Sequence, residues 1–317
     1  MLIKEYAAKY DPQNQFDVLI NTYKQVEFAW SNKFIIDGIN SSELLNIVIS
    51  GLGGSAISAD LIKNFLSDEV SIPIVVNRNY NLPKFASKNT LFIASSYSGN
   101  TEETISSLKQ AIEAGCKIVC ITTGGEVEAI AKSKNISCLK VQPGFQPRYS
   151  LGLSFFSVLK VLQELKIISD QTTVVEKIIN LWKQKGIEYS QEGNFAYKFA
   201  ESLIGFIPVI YSVADSTSAV GYRFKCQLNE NSKLHAFHNE IPEMNHNEII
   251  GWESYQEKVF HSKIINIVDE TYNLQIEKRF EILKDIFVKS GVESLTLKSN
   301  EELFKVRLLD LIYLGDW

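Results

Sequence analysis

Five serine and threonine hydroxyls fall within ten residues, at Ser95, Ser96, Ser98, Thr101 and Thr104 in the run S-S-Y-S-G-N-T-E-E-T. Loop serines and threonines ordinarily cap helices, and Thr101 with Thr104 could do so here. Five hydroxyls around one glycine exceed that need. A turn whose amides and hydroxyls converge cradles a phosphate without lysine or Mg²⁺. It differs from a P-loop, which needs G-K-[ST]. A second run, G-L-G-G-S at Gly51 to Ser55, suits the same guest. Its glycines let the backbone approach a ligand, and a helix starting there offers unpaired amides and a positive dipole end. It is not the dinucleotide fingerprint, which wants a third glycine two residues on and an acid ending the next strand. Asn77 and Arg78 stand at that strand end. Taken alone, G-L-G-G-S is also explained as a tight turn.

Two more segments carry reactive groups. Arg148, in P-R-Y-S, follows a strand on the same side as the two loops. A guanidinium there can hold an oxyanion, although a lone arginine after a proline is usually a surface charge. The stretch Asn229 to Glu248, N-E-N-S-K-L-H-A-F-H-N-E-I-P-E-M-N-H-N-E, mixes carboxylates, histidines and amides in a loop setting around Pro242. Glutamate suits proton abstraction and histidine suits proton transfer near neutral pH. His235, His238 and His246 lack the H-E-x-x-H spacing of a metal site. His235, His238 and His261 read as solvated loop residues.

These groups need a scaffold. Strand patterns occur at Asn46–Ser50, Ile72–Val76, Thr90–Ala94, Lys117–Thr122 and Ile136–Val141, alternating with helical runs. That rhythm predicts a parallel sheet covered on both faces. Ligands bind such sheets at the carboxyl ends of the strands, where the loops lie. Ser150 to Leu165 reads as a long helix bridging to a second unit. Helices follow at Val174–Trp182 and Asn194–Ile204, then a strand at Val209–Ser212 and a helix to Glu230. Strands at Lys263–Val268 and Glu293–Leu297 and helices at Arg279–Ser290 and Glu301–Leu314 complete the pattern. Val209 to Phe224 echoes Ile47 to Ile62, each a strand, a small-residue turn and a helix. Duplication and two unrelated turns both fit an echo this short. The expected division is residues 1–150, then 151–317 as a linker helix with a second unit.

Composition narrows the class. The chain has 317 residues, 45% hydrophobic and 22% charged, which is ordinary globular composition for about two domains. The net charge of -5 argues against a general nucleic-acid binder. The N-terminus has no apolar core of a secretory signal. The apolar stretch from Leu151 to Leu165 is interrupted by Ser154, Ser157, Lys160, Gln163 and Glu164, so no bilayer span is expected. Cytoplasm is the expected compartment. Cys116, Cys120, Cys138 and Cys226 show no zinc spacing and read as reduced small hydrophobes.

The four segments in this order resemble the SIS (sugar isomerase) superfamily, and more closely the bifunctional phosphoglucose/phosphomannose isomerases. The S-Y-S-G-N-T block marks SIS domains broadly, while N-E-N-S-K with N-H-N-E is specific to this isomerase group. The resemblance implies an α/β fold of two SIS domains, each a parallel sheet flanked by helices on both faces. It implies a homodimer with shared active sites and interconversion of glucose 6-phosphate or mannose 6-phosphate with fructose 6-phosphate, without a cofactor, a metal, a nucleic acid or a membrane. By position, Gly53, Gly54, Ser55, Ser96, Ser98 and Thr101 would hold the substrate, with Ser96, Ser98 and Thr101 on the phosphate. Arg148 would steady an enediolate. Glu230 would be the base between C1 and C2. His246, from the partner subunit, would assist ring opening. The family pattern continues past the final helix to a late lysine that can share in ring opening, whereas this sequence stops at Leu314-Gly315-Asp316-Trp317. Lys298 lies in a different context and does not take that role. A SIS-fold module that senses a phosphosugar without turnover is the alternative, and the two part at Glu230. A nucleotide-dependent Rossmann enzyme is a third, more distant one.

Overall fold

The computed structural model describes residues 3–257 and 260–317. Its contacts divide the chain into two compact units, one of residues 17–183 and one of residues 1–16 together with 184–317. Short helices α1 (Ile3–Tyr10), α2 (Gln15–Ile20) and α3 (Thr22–Ser31) open the chain.

The first unit is built on five parallel strands, β1 (Asn46–Ser50), β2 (Ile74–Asn77), β3 (Thr90–Ser95), β4 (Lys117–Thr122) and β5 (Ser137–Lys140), in the order β2-β1-β3-β4-β5. The central strands are continuously apolar through their middles, I-V-I in β1, L-F-I-A in β3 and I-V-C-I in β4, as strands covered on both faces must be. Helices α5 (Glu102–Glu113) and α6 (Gly125–Ser133) cover one face, where Val48, Phe92, Cys120, Leu108 and Ala131 form a common core. Helices α4 (Gly54–Phe65) and α7 (Leu151–Glu164) pack together with α3. The Leu151–Glu164 helix, expected as a linker, thus belongs to this unit. It is buried on almost every side from Leu151 to Leu162, and such a helix must be covered all round. Phe65 and Phe155 meet edge to face at 5.3 Å in this layer.

Helix α8 (Thr172–Tyr189) crosses the division. The second unit contains α9 (Phe195–Ser202), β6 (Ile207–Val213), α10 (Ser218–Glu230), β7 (Phe237–Ile241), β8 (Ser262–Ile267), α11 (Leu274–Ser290), β9 (Glu293–Leu297) and α12 (Phe304–Asp316). Its four parallel strands run β7-β6-β8-β9. Tyr211, Ile264, Leu283, Phe287 and Trp252 share one core, while α10 packs on α12. Strand β7 lies inside the stretch expected to be a loop. It is an edge strand bonded to β6 alone, so F-H-N-E-I carries no apolar run. Two parallel sheets flanked by helices are the expected class. Among the described residues, no helix is long and apolar enough to cross a membrane.

Candidate active site

The carboxyl edge of the first sheet gathers three loops, and glycines set how closely they meet. A Cβ on Gly54 would lie 2.6 Å from the Pro147 carbonyl oxygen, so the turn after β1 sits directly on the turn that carries Arg148. A Cβ on Gly51 would lie 2.8 Å from the Ser95 carbonyl oxygen and 2.9 Å from the Ser55 Cβ, which joins the first loop to the hydroxyl run. Gly99 has φ +72°, and a Cβ there would lie 1.8 Å from the Gly124 carbonyl oxygen. No other residue fits that position.

The hydroxyl loop is stitched from within. Gly99 N–H donates to Ser96 Oγ at 3.1 Å, and Ser96 Oγ lies 2.9 Å from Thr101 Oγ1. Asn100 N–H donates to Ser98 Oγ at 3.2 Å. A hydroxyl oxygen that accepts an amide proton keeps its own proton to give. Ser98 is exposed, Thr101 half-buried and Ser96 buried. Helix α5 starts just after Thr101 and α4 just after Gly53, so two helix amino ends face this edge.

Outer residues hold the loop in turn. Tyr97 donates its phenol proton to the Gln142 carbonyl at 3.0 Å and accepts the Phe145 N–H at 2.9 Å. Burial raises its pKa, against the smaller opposing pull of the Phe145 bond. Asn100 Oδ1 accepts the Glu126 N–H at 3.0 Å. Gln25 of α3 donates to the Tyr149 carbonyl at 2.7 Å and steadies the short 3₁₀ turn Pro147–Tyr149. Buried Ser58 and Ser154 share a hydrogen bond at 2.6 Å between α4 and α7. Sequence reasoning missed Tyr97, Asn100 and Gln25 as supports. Gln25 leaves no local signal, because its partner is 124 residues away.

Gly53, Gly54, Ser55, Ser96, Ser98, Thr101 and Arg148 therefore belong to one edge of one unit. Glu230 and His246 lie in the other unit. Glu230 is the exposed last residue of α10, and His246 is exposed on the 3₁₀ turn Glu243–His246 after β7. Helix α10 connects parallel strands β6 and β7, so it runs back to the amino edge of its sheet. Its 13 residues carry Glu230 about 20 Å from the edge where α10 begins. Strand β7 then returns to the carboxyl edge, where His246 stands. Within one chain the two residues are at opposite edges of the second sheet.

His238 corrects the loop expectation. It sits on β7 with Nε2 2.7 Å from Ser212 Oγ, against Gly221 of α10. Burial, with Lys225 adding to it, pulls its pKa down to about 4. His235 and His261 are exposed. The four cysteines are free thiols.

Comparison with known proteins follows this division. The SIS domain family model matches residues 41–164, and the model for the bacterial phospho-glucose isomerase C-terminal SIS domain matches residues 192–317. The bifunctional phosphoglucose/phosphomannose isomerase of Caldicellulosiruptor bescii is 36% identical over 309 residues, 95% of this chain and 91% of that one. The D-glucosamine-6-phosphate 4-epimerase of Sulfolobus acidocaldarius is 30% identical over 83% of this chain and 85% of its own. Among solved structures, the C-terminal domain of glucosamine-fructose-6-phosphate aminotransferase from Francisella tularensis shares the fold, with TM-score 0.65 and 13% identity over 97% of this chain and 96% of that one. With two parallel sheets, two SIS matches and a relative this similar over nearly its whole length, the chain belongs to the bifunctional phosphoglucose/phosphomannose isomerase family.

Proposed function

We propose that the protein interconverts glucose 6-phosphate, and mannose 6-phosphate on the same site, with fructose 6-phosphate through an enediolate. The observation that carries this reading is the loop Ser96–Thr101, whose hydroxyls share an edge with Arg148. Ser96, Ser98 and Thr101 donate to the phosphate, which takes over the proton that Ser96 and Thr101 share in its absence, and the amino ends of α4 and α5 favour its charge. Gly53, Gly54 and Ser55 let the sugar approach the backbone. Binding the phosphate away from the reacting carbons supplies orientation, which counts as rate once the geometry is right. His246 of the partner subunit assists ring opening, in which the proton of the C1 hydroxyl leaves and the ring oxygen gains one. Glu230 takes the proton from C2 of the open aldose and returns it to C1. Arg148 faces the oxygen that becomes negative meanwhile, a contact of about 3–4 kcal/mol in comparable sites. None of these steps needs a cofactor or a metal.

The opposite-edge placement of Glu230 and His246 supports a homodimer with shared sites, because a site that uses both must draw them from two copies. We place the protein in the cytoplasm, with its phosphorylated substrates.

A coupled assay on both aldose phosphates, repeated with EDTA, tests the reading. Glu230→Gln is expected to lower kcat by about 10²–10⁴-fold while fructose 6-phosphate still binds. Activity retained in that variant overturns the base. Binding without turnover in the unaltered protein returns the sensing module. The epimerase relative adds one more arm: a 4-epimer formed from glucosamine 6-phosphate, with no ketose product, would redirect the chemistry.

A further inference from the structure

Glu248 closes the P-E-M-N-H-N-E run and has no part in the steps above. Its half-buried carboxylate lies between two neutral donors. Tyr211 of β6 donates its hydroxyl proton to Oε1 at 2.6 Å, and Asn239 of β7 donates its amide to Oε2 at 2.6 Å. Neighbours set the direction of each bond. The Trp252 indole can only donate, and it donates to the Tyr211 oxygen at 2.9 Å, so the phenol proton goes on to Glu248. The Asn239 carbonyl oxygen accepts the Glu240 N–H at 2.8 Å, so its NH₂ must face Glu248. Both Glu248 oxygens therefore accept. An ionised carboxylate does this, and an amide cannot do it at both atoms. Burial, then the hydrogen bond to Glu248 and the Glu248 charge, hold the Tyr211 phenol far above its ordinary pKa, which keeps it a donor.

The anchor stands two residues after His246. The segment between β7 and Glu248 is held at both ends, by the Val213–Ile241 register with β6 and by the Glu248 carboxylate. Within it, Asn247 donates to Glu243 at 3.1 Å and accepts the Glu248 N–H at 2.6 Å. Among the described residues no hydrogen bond reaches the ring of exposed His246, so within the chain its placement rests on the backbone of this short segment, which fixes the Cα–Cβ bond from which the imidazole extends.

We propose that Glu248 is the positioning residue for His246, fixing the imidazole that opens the sugar ring in the neighbouring site. The proposal rests on the ring-opening assignment of His246 above. Glu248→Gln keeps the shape but turns one acceptor into a donor. It is expected to lower kcat by about 10- to 100-fold, the cost of an ångström-scale misplacement, with KM within about twofold. The deciding measurement is a double-mutant cycle with His246→Ala. Glu248→Gln should add no further loss in the His246→Ala background. Additive losses, or full activity in Glu248→Gln, overturn the proposal alone. A His246→Ala variant as fast as the unaltered protein removes the ring-opening assignment, and the proposal with it. Should Glu248→Gln fail to fold, Asn239→Ala removes one of the two bonds at a half-buried site and should show the same non-additivity with a smaller loss.

Discussion

The two units repeat one topology and treat it in opposite ways. Strands β2-β1-β3-β4 correspond in order to β7-β6-β8-β9. After β1 the turn is glycine-rich, whereas after β6 Thr217 fills the turn, bonding the Val213 N–H and the Tyr272 hydroxyl. After β3 lie Ser96, Ser98 and Thr101. After β8 lies Asp269, whose carboxylate accepts from Thr271 and from buried Arg307 at 2.7 and 3.1 Å. The second unit thus puts its own anion where the first leaves room for a ligand's. A phosphate there would meet a buried negative charge, and Thr217 and Asp269 are both almost completely inaccessible. Keeping the fold did not require keeping the site. On the proposed reading the second unit contributes other positions instead, the end of α10 and the segment after β7.

This contrast can be broken most decisively at the proposed shared site. In the proposed homodimer, Glu230→Gln or His246→Ala alone should each lose about 10²–10⁴-fold in kcat. Mixing and reassociating the two should restore about a quarter of full activity, since half the dimers then hold one intact site under two-fold symmetry. No recovery would mean that both residues act from one chain.

Asp269→Asn comes next. It leaves Arg307 buried against half a partner and should cost about 3–5 kcal/mol in urea unfolding, while KM for fructose 6-phosphate stays within about twofold. A large KM change would mean that the second unit's turn is not the closed one.

Ser98→Ala should raise KM by about tenfold or more, the value of a hydrogen bond to a charged group, with little change in stability. Thr271→Ala, at the corresponding turn, should leave KM unmoved, and equal effects in both would erase the distinction between the turns.

The last effect concerns pH. The folded pKa of His238 is about 4, below its ordinary value near 6.5, chiefly through burial. The unfolded chain then binds the proton first. The stability given by neutral His238 is complete above pH 6.5 and falls by up to about 1.4 kcal/mol per unit as the pH drops from there towards 4. His238→Gln should flatten that part of the stability curve, measured by urea unfolding between pH 7 and 4.5, and an unchanged slope would show that the imidazole titrates normally.

Much of the fold was legible because it is local. β1 and β4 fall where apolar runs of strand length occur, β9 falls on the short alternating pattern E-S-L-T-L, and α7 begins and ends within a residue of its expected span. β7 was hidden because an edge strand need not be apolar. Helices α1 to α3 gave no motif, although α3 supplies Gln25 beneath the Arg148 turn. His238 read as a solvated residue because burial by Gly221 and Tyr222 comes from another element.

By itself the sequence determined the alternation of strand, small-residue turn and helix, and the chemistry of the hydroxyl run. Both are set by residues within a few positions of one another, through backbone sterics and apolar periodicity. Tertiary structure decided which of two similar turns stays open, through Thr217, Tyr272, Asp269 and Arg307. It also decided that Glu230 and His246, only sixteen positions apart, end at opposite edges of one sheet. A helix antiparallel to its strands carries one residue away and the next strand carries the other back, and that direction exists only once the sheet has formed.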